Sequence, residues 1–212
     1  MSQDNVTSTL EKIHIAAKQE FLEKGFQLAS LRNIVKSAGV TTGAFYGYYK
    51  SKEELFDSLV SEQAEYVLNL FDTTLENFNK LSGEEQTNKM TDISGDAMLC
   101  MLDYIYDYMD AFKLLILCAE GTKYVDFIHQ LVLRETESSF AYIETLKQMG
   151  IKVKPINKNL IHIVSSGLFT GVFETIVHDM PKEEAKEYIH QLQQFHTAGW
   201  EELLGVKFGE QS

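Results

Sequence analysis

Proline is nearly missing from this chain, with 2 in 212 residues. Proline breaks helix interiors and strand ladders, so its scarcity favours long helices over many short strands. Cysteine is as sparse. Cys100 and Cys118 sit in apolar helical stretches and form no CxxC pair, which argues against a disulfide framework and leaves buried free thiols as the expectation. No apolar leader core opens the chain, since Met1 to Asn5 are polar. Long uninterrupted hydrophobic runs are missing too. The longest, Leu160 to Val177, contains His162, Ser165, Ser166, Thr170 and Glu174, which is too polar to be expected to span a membrane. These absences together lead to the expectation of a soluble cytoplasmic protein.

Catalytic signatures are also lacking. There is no HExxH, GxSxG, phosphate-binding Walker loop or dinucleotide-binding glycine fingerprint. The six histidines are scattered, and His190 and His196 stand six apart, on different faces of a helix. We therefore expect no enzyme, no cofactor and no metal.

Positive charge is scarce overall, at a net −12, but it is unevenly spread. Residues 1–52 carry seven Lys and Arg against four Asp and Glu, a net +3, and residues 53–212 carry a net −15. Screening acts over roughly 10 Å at 0.1 M salt, so a basic end can meet phosphates while an acidic body stays away. Two domains are expected, 1–52 and 53–212.

What the chain has in quantity is helical punctuation. Ser8-Thr9-Leu10-Glu11 is a capping box, followed by Leu10, Ile13, Ala17 and Phe21 at helical spacing and by Gly25 as a stop. Ser30 caps a short helix with Leu31, Ile34, Val35 and Ala38 on one face, and Gly39 ends it. Thr41 caps a third helix over about 42–48, with Val40 and Phe45 spaced as a hydrophobic staple. Further capping boxes at Ser51–Glu54 and Ser82–Glu85 open two long helices, the second running to about 109. Helices follow to 120, over 122–149, over 155–178 and over 181–204, with Pro155 and Pro181 in first turns. The expected fold is all-α, about nine helices without a strand, with disorder confined to the first few and last few residues.

Two short helices joined by a glycine-containing turn, Leu31–Ala38 and Thr42–Tyr48 around Gly39, make a helix-turn-helix. Such a motif lays its second helix in the DNA major groove. Phe45 and Tyr49 can face the core, leaving Thr42, Gly43, Ala44, Tyr46, Gly47 and Tyr48 outward. Each interior glycine costs about 1 kcal/mol relative to alanine, and close approach to DNA is a reason to bear that cost. Lys52 at a helix start is expected to meet phosphate with Lys50 beside it, and the Tyr46 and Tyr48 hydroxyls can do the same. Arg32 is the candidate for a bidentate contact to guanine.

The stretch Ile13-x-x-Ala16-Ala17-x-x-x-Phe21-x-x-x-Gly25-Phe26, then Ser30-Leu31-x-x-Ile34, then Ala38 to Leu55 closely resembles the TetR family of transcriptional regulators. The resemblance covers about residues 9–60. It implies that Ser30, Thr41, Tyr46, Tyr48 and Lys52 hold the phosphate backbone and that Thr42, Gly43 and Ala44 face the bases. Gly47 departs from the larger side chain that relatives often carry there, so specificity is expected to lean on Arg32, Thr42 and DNA shape.

No fingerprint covers residues 61–212. The resemblance implies a helical core whose last two helices pair across a two-fold axis, reading a palindromic operator as a homodimer. The helix from 155 is apolar or small on most sides, and we expect it to be buried all round with Ser166, Gly167, Thr170 and Gly171 at the dimer interface. Asp92, Asp96, Asp103, Asp107 and Asp110 form one stripe, expected to be a solvated face. A small-molecule effector, hydrophobic or aromatic, is expected to meet Met101, Tyr104, Tyr108, Tyr124 and Phe127. A repressor released by that effector is the leading expectation. An activator, or a helical interaction module with secondary DNA binding, stays open.

Overall fold

The computed structural model describes residues 8–209, so the tails expected to be disordered lie in part outside the described residues. Among those residues there are nine helices and no strand. They are α1 (Thr9–Leu28), α2 (Leu31–Ser37), α3 (Thr42–Tyr46), α4 (Lys52–Asn79), α5 (Gly83–Asp107), α6 (Met109–Leu117), α7 (Phe127–Gln148), α8 (Lys158–Val177) and α9 (Lys182–Leu204).

The caps explain most of the boundaries. At α1, the Glu11 amide donates to Ser8 Oγ at 3.1 Å and the Ser8 amide donates to Glu11 Oε2 at 3.3 Å. Ser82 and Glu85 repeat the exchange at α5. At α4 the Glu54 amide donates to Ser51 Oγ, but the Glu54 carboxylate turns to the Lys50 amide at 2.6 Å. Gly25 interrupts α1 as the sequence suggests (φ 70°, ψ 163°), yet the chain resumes helical form to Leu28. Two starts fall later than expected. Residues 122–126 form a turn, where Thr122 Oγ1 accepts from the Tyr124 amide at 3.0 Å. Pro155 lies in an extended approach, and α8 is opened by Asn157, whose Oδ1 accepts from the Asn159 amide at 2.9 Å.

The chain divides into two compact units. The first runs through Glu65 and takes in Tyr108–Val125, and the second is Tyr66–Asp107 with the chain from Asp126 on. The expected boundary at 52/53 is thus displaced to a point inside α4, and α6 joins the N-terminal unit. The reason is apolar. Ala111, Phe112, Leu114 and Leu115 of α6 are buried. Its C-terminal end docks on α1, with the Phe26 amide donating to the Cys118 carbonyl at 3.0 Å. Lys18 and Asp110 pair at 3.2 Å. Below α2 and α3 the core is aromatic, with Phe21 edge-on to Phe56 at 5.1 Å and Phe26 to Phe56 at 5.3 Å. Burying each such ring contributes about 2–3 kcal/mol, and these edge-to-face pairs add a little more.

The second unit packs α5, α7, α8, α9 and the rest of α4. In α8, Ile161, Phe169, Phe173 and Ile176 are buried. By length and composition α8 could cross a membrane, but here it packs within the unit. Within a single chain it is not buried all round. Ile163 is 63% exposed, and Gly167, Thr170 and Val177 are exposed along the same side. Phe195 of α9 is 74% exposed. Cys118 is buried as expected, whereas Cys100 is exposed.

Candidate functional site

In the N-terminal unit, α2 and α3 are held from beneath. Ile34 and Phe45 are fully buried and Tyr49 nearly so. Tyr49 Oη lies 2.5 Å from His14 Nε2. Burial, then the nearby Lys18 charge, lowers the His14 pKa. Anchoring Phe45 and Tyr49 turns the residues between them outward. Thr42, Gly43, Tyr46, Gly47 and Tyr48 are exposed, with Tyr46 at 55% and Tyr48 at 48%. Ala44 is half-buried.

Ser30 and Thr41 cap α2 and α3, accepting from the Asn33 amide at 3.4 Å and the Ala44 amide at 3.1 Å. Each hydroxyl keeps its proton to donate elsewhere, so capping and phosphate contact are compatible. A side chain at Gly43 would meet nothing nearer than 4.0 Å, so nothing within the chain requires glycine there. At Gly47 a Cβ would press on the Ala44 carbonyl at 3.3 Å, an internal reason that the sequence reading missed. Arg32 and Lys50 are exposed, as is Lys36, which the sequence reading passed over although it shares Arg32's face four residues on.

Lys52 is placed differently from the expectation. Its ammonium donates to the carbonyls of Phe26, Gln27 and Ala29 at 2.6, 3.2 and 3.0 Å and lies 4.5 Å from the centre of the Phe26 ring. Three donors meet three carbonyls left open where Gly25 breaks α1, so the Lys52 ammonium braces the α1–α2 connection in the free chain.

The effector residues read from the sequence do not converge. Tyr124 belongs to the N-terminal unit, where it donates to Asp57 Oδ1 at 2.5 Å. Burial and that carboxylate push its hydroxyl up to about 12. Burial raises Asp57, but hydrogen bonds from Lys123 and Tyr124 outweigh it and hold the carboxyl below its usual range. Tyr108 is 45% exposed at the start of α6, and Tyr104 stacks on Tyr66 at 3.7 Å. Phe127 is buried against Phe173 at 5.8 Å. Of the five, Met101 alone lines the cavity in the second unit.

That cavity measures about 150 Å³. Phe71, Phe78, Met98, Phe169, Trp200 and other apolar side chains make most of its wall, drawn from α4, α5, α7, α8 and α9. Glu135 of α7 and His196 of α9 stand in this lining. Burial pushes Glu135 up to about 7 and lowers His196. The aspartates stay on the surface, as expected. Asp103 pairs with Lys182 at 2.9 Å and with Lys186 at 3.5 Å, and Asp92 and Asp96 are exposed.

The N-terminal unit thus carries a basic helix-turn-helix, and the second unit carries an apolar cavity. Residues 13–59 match the model for bacterial regulatory proteins of the TetR family. The chain is 38% identical over 61 residues to the transposon Tn10 TetC protein of Escherichia coli, spanning 29% of this chain and 31% of that protein. It is 26% identical over 170 residues to the HTH-type transcriptional regulator YdgC of Bacillus subtilis, spanning 74% and 80%. With BepR of Brucella suis, an HTH-type transcriptional repressor, identity is 42% over a quarter of each chain. The chain therefore spans about a third or less of TetC and BepR and four fifths of YdgC. An Aquifex aeolicus transcriptional regulator has the same fold at 23% identity, with a TM-score of 0.54 over 89% of this chain and 99% of that one. So does FadR of Bacillus subtilis, solved with stearoyl-CoA, at 16% identity and a TM-score of 0.54 over 89% and 97%. The match to the TetR family model thus lies within the N-terminal unit, over residues 13–59.

Proposed function

We propose that this chain is a cytoplasmic homodimeric repressor that binds a palindromic operator and leaves it when a small hydrophobic molecule enters the second unit. The observation that carries the DNA half is the exposed set around buried Phe45, namely Thr42, Gly43, Tyr46 and Tyr48, flanked by Arg32 and Lys50. Thr42, Gly43 and Ala44 meet base edges, and Arg32 supplies the bidentate contact. Ser30, Thr41, Tyr46, Tyr48, Lys36 and Lys50 hold phosphates. Lys52 supports them from behind.

Support for a dimer comes from the bare side of α8. Ile163, Gly167 and Thr170 form an exposed apolar or small stripe on α8, and Phe195 of α9 is exposed as well. A second copy of the same stripe would cover it across a two-fold axis. Ser166 is half-buried at the edge of this stripe. Gly171 is used within the protomer, because a Cβ there would meet Leu192 of α9 at 3.0 Å.

Support for an effector comes from the cavity, whose wall is mostly apolar. Its ligand shifts DNA affinity to the extent that it binds one arrangement of the two recognition helices better than the other. The test is selection of duplexes from a random pool, followed by binding with Arg32→Ala and Lys50→Ala. Arg32→Ala should relax preference at one base pair, and Lys50→Ala should weaken every duplex alike and lower the salt slope by about one unit. Wild-type retention of all duplexes without salt sensitivity would end the regulator reading.

A further inference from the structure

The cavity holds one feature that a purely apolar ligand does not explain. Glu135 carries a carboxyl group into a wall of Phe71, Phe78, Phe169 and Trp200, and none of the described residues pairs with it. Its neighbour Arg134 is committed elsewhere, donating from Nε to Asp72 at 2.7 Å and from Nη1 to the Gln130 carbonyl at 3.0 Å. Two other polar lining groups have partners inside the protein. Gln193 Nε2 donates to the Thr91 carbonyl at 2.8 Å, and the Tyr142 hydroxyl pairs with Thr87 at 2.9 Å. No lysine or arginine lines the cavity. A carboxylate among aromatic rings, with no partner of its own, is costly unless something brings it a positive charge.

We infer that the effector is a hydrophobic cation, an amine or quaternary ammonium on an apolar or aromatic body, whose charge is met by Glu135 and whose body lies among the aromatic rings. Resting on the proposed effector role of this cavity, the inference names the ligand class that role requires. Aromatic faces add to the attraction through their ring quadrupoles. A free acid or acyl carboxylate would place like charge against Glu135, which separates this cavity from one built for a fatty-acid head.

The size points to a small probe, since a cavity of roughly 150 Å³ accommodates a single aromatic ring. Trp200 is the chain's one tryptophan and lines the cavity, so its emission reports occupancy directly. Full-length protein is titrated with benzyltrimethylammonium, with its neutral carbon isostere neopentylbenzene, and with 3-phenylpropanoate. The cation should bind at least tenfold more tightly than either, and Glu135→Gln should remove that preference. Because the quaternary nitrogen cannot titrate, pH acts through the protein. With Glu135 near 7, cation affinity should rise about tenfold from pH 6 to pH 8, following the ionised fraction. His196 and Tyr142 are the other titratable groups facing the cavity, lowered and raised respectively by burial. Glu135→Gln leaves both in place, so a flat profile in that variant assigns the slope to Glu135. Tighter binding of the isostere or the acid overturns the cation inference and leaves the effector cavity standing. No change in Trp200 emission or melting temperature with any of the three overturns both.

Discussion

At the scale of single residues, Lys52 shows why residue type does not settle a role. A lysine at a helix start beside a DNA-facing helix reads as a phosphate ligand, but its ammonium is filled by three carbonyls of the α1–α2 connection. Hydrogen bonds from a charged donor are worth about 1.5–3 kcal/mol in such a setting. Lys52→Met should therefore lower stability by about 2 kcal/mol in denaturant melts, and the salt slope of DNA binding should stay at the wild-type value. A slope reduced by one unit with unchanged stability would restore the phosphate role. Glu135 makes the opposite kind of prediction. Burial raises its folded pKa to about 7 from 4.5, so the folded state holds the proton more tightly than the unfolded chain. Its contribution is neutral below about pH 4.5 and grows unfavourable as pH rises towards 7, reaching at most about 3 kcal/mol. Glu135→Gln should match wild type in melting temperature at pH 4.5 and exceed it at pH 8. An equal melting difference at both pH values would show that the carboxyl is not held in the apolar environment. Asp57 follows the other sign. Its pKa is depressed by Lys123 and Tyr124, so its stabilisation is present above the ordinary carboxylate range and is lost as pH falls through the folded value.

At the scale of elements, local rules carried the reading a long way. Capping residues such as Ser8, Ser30, Thr41 and Ser82 act within three or four positions, and the helices they open lie where their spacing puts them. The helix-turn-helix was legible for the same reason, since Phe45 and Tyr49 set its orientation by helical period alone. α6 was not. Its partners in α1 are about ninety positions away, as with Lys18 and Asp110, and no local pattern carries that information. The cavity was misread for a related reason. Tyr104, Tyr108, Tyr124 and Phe127 are aromatic and close in sequence, but their rings are spent on Tyr66, Asp57, Phe173 and the start of α6. α8 supplies an element-level test. A side chain at Gly167 would meet nothing within 4 Å in the protomer. Gly167→Arg should leave the fold of one chain intact, and helix propensity even favours it. In a dimer the same change places two guanidinium groups against an apolar seam. Sedimentation velocity should show a monomer with wild-type helical content and much weaker binding to a palindromic duplex. A Gly167→Arg dimer that binds the duplex normally would move the interface to another face.

At the scale of the whole molecule, charge and linkage set the behaviour. The chain carries a net −12, with the basic excess confined to the N-terminal 52 residues, so only that end gains from DNA while the rest is repelled. Raising salt screens both, but the close phosphate contacts dominate, and affinity should fall with salt overall. Linkage is stricter, because it constrains two independent measurements. The cavity belongs to one unit and α2 and α3 to the other. If a cavity ligand weakens DNA binding by some factor, the duplex must weaken ligand binding by that same factor. Couplings of about 5–150-fold are typical, large enough to measure from both sides. Duplex affinity with and without saturating ligand gives one value. Trp200 emission, titrated with ligand in the presence and absence of duplex, gives the other. The two factors should agree within error and should both collapse towards one when a bulky residue, for example Ala97→Phe, fills the cavity. A ligand that quenches Trp200 equally with and without duplex would show that the cavity and the DNA-facing helix do not share a conformational equilibrium, whatever the ligand's affinity.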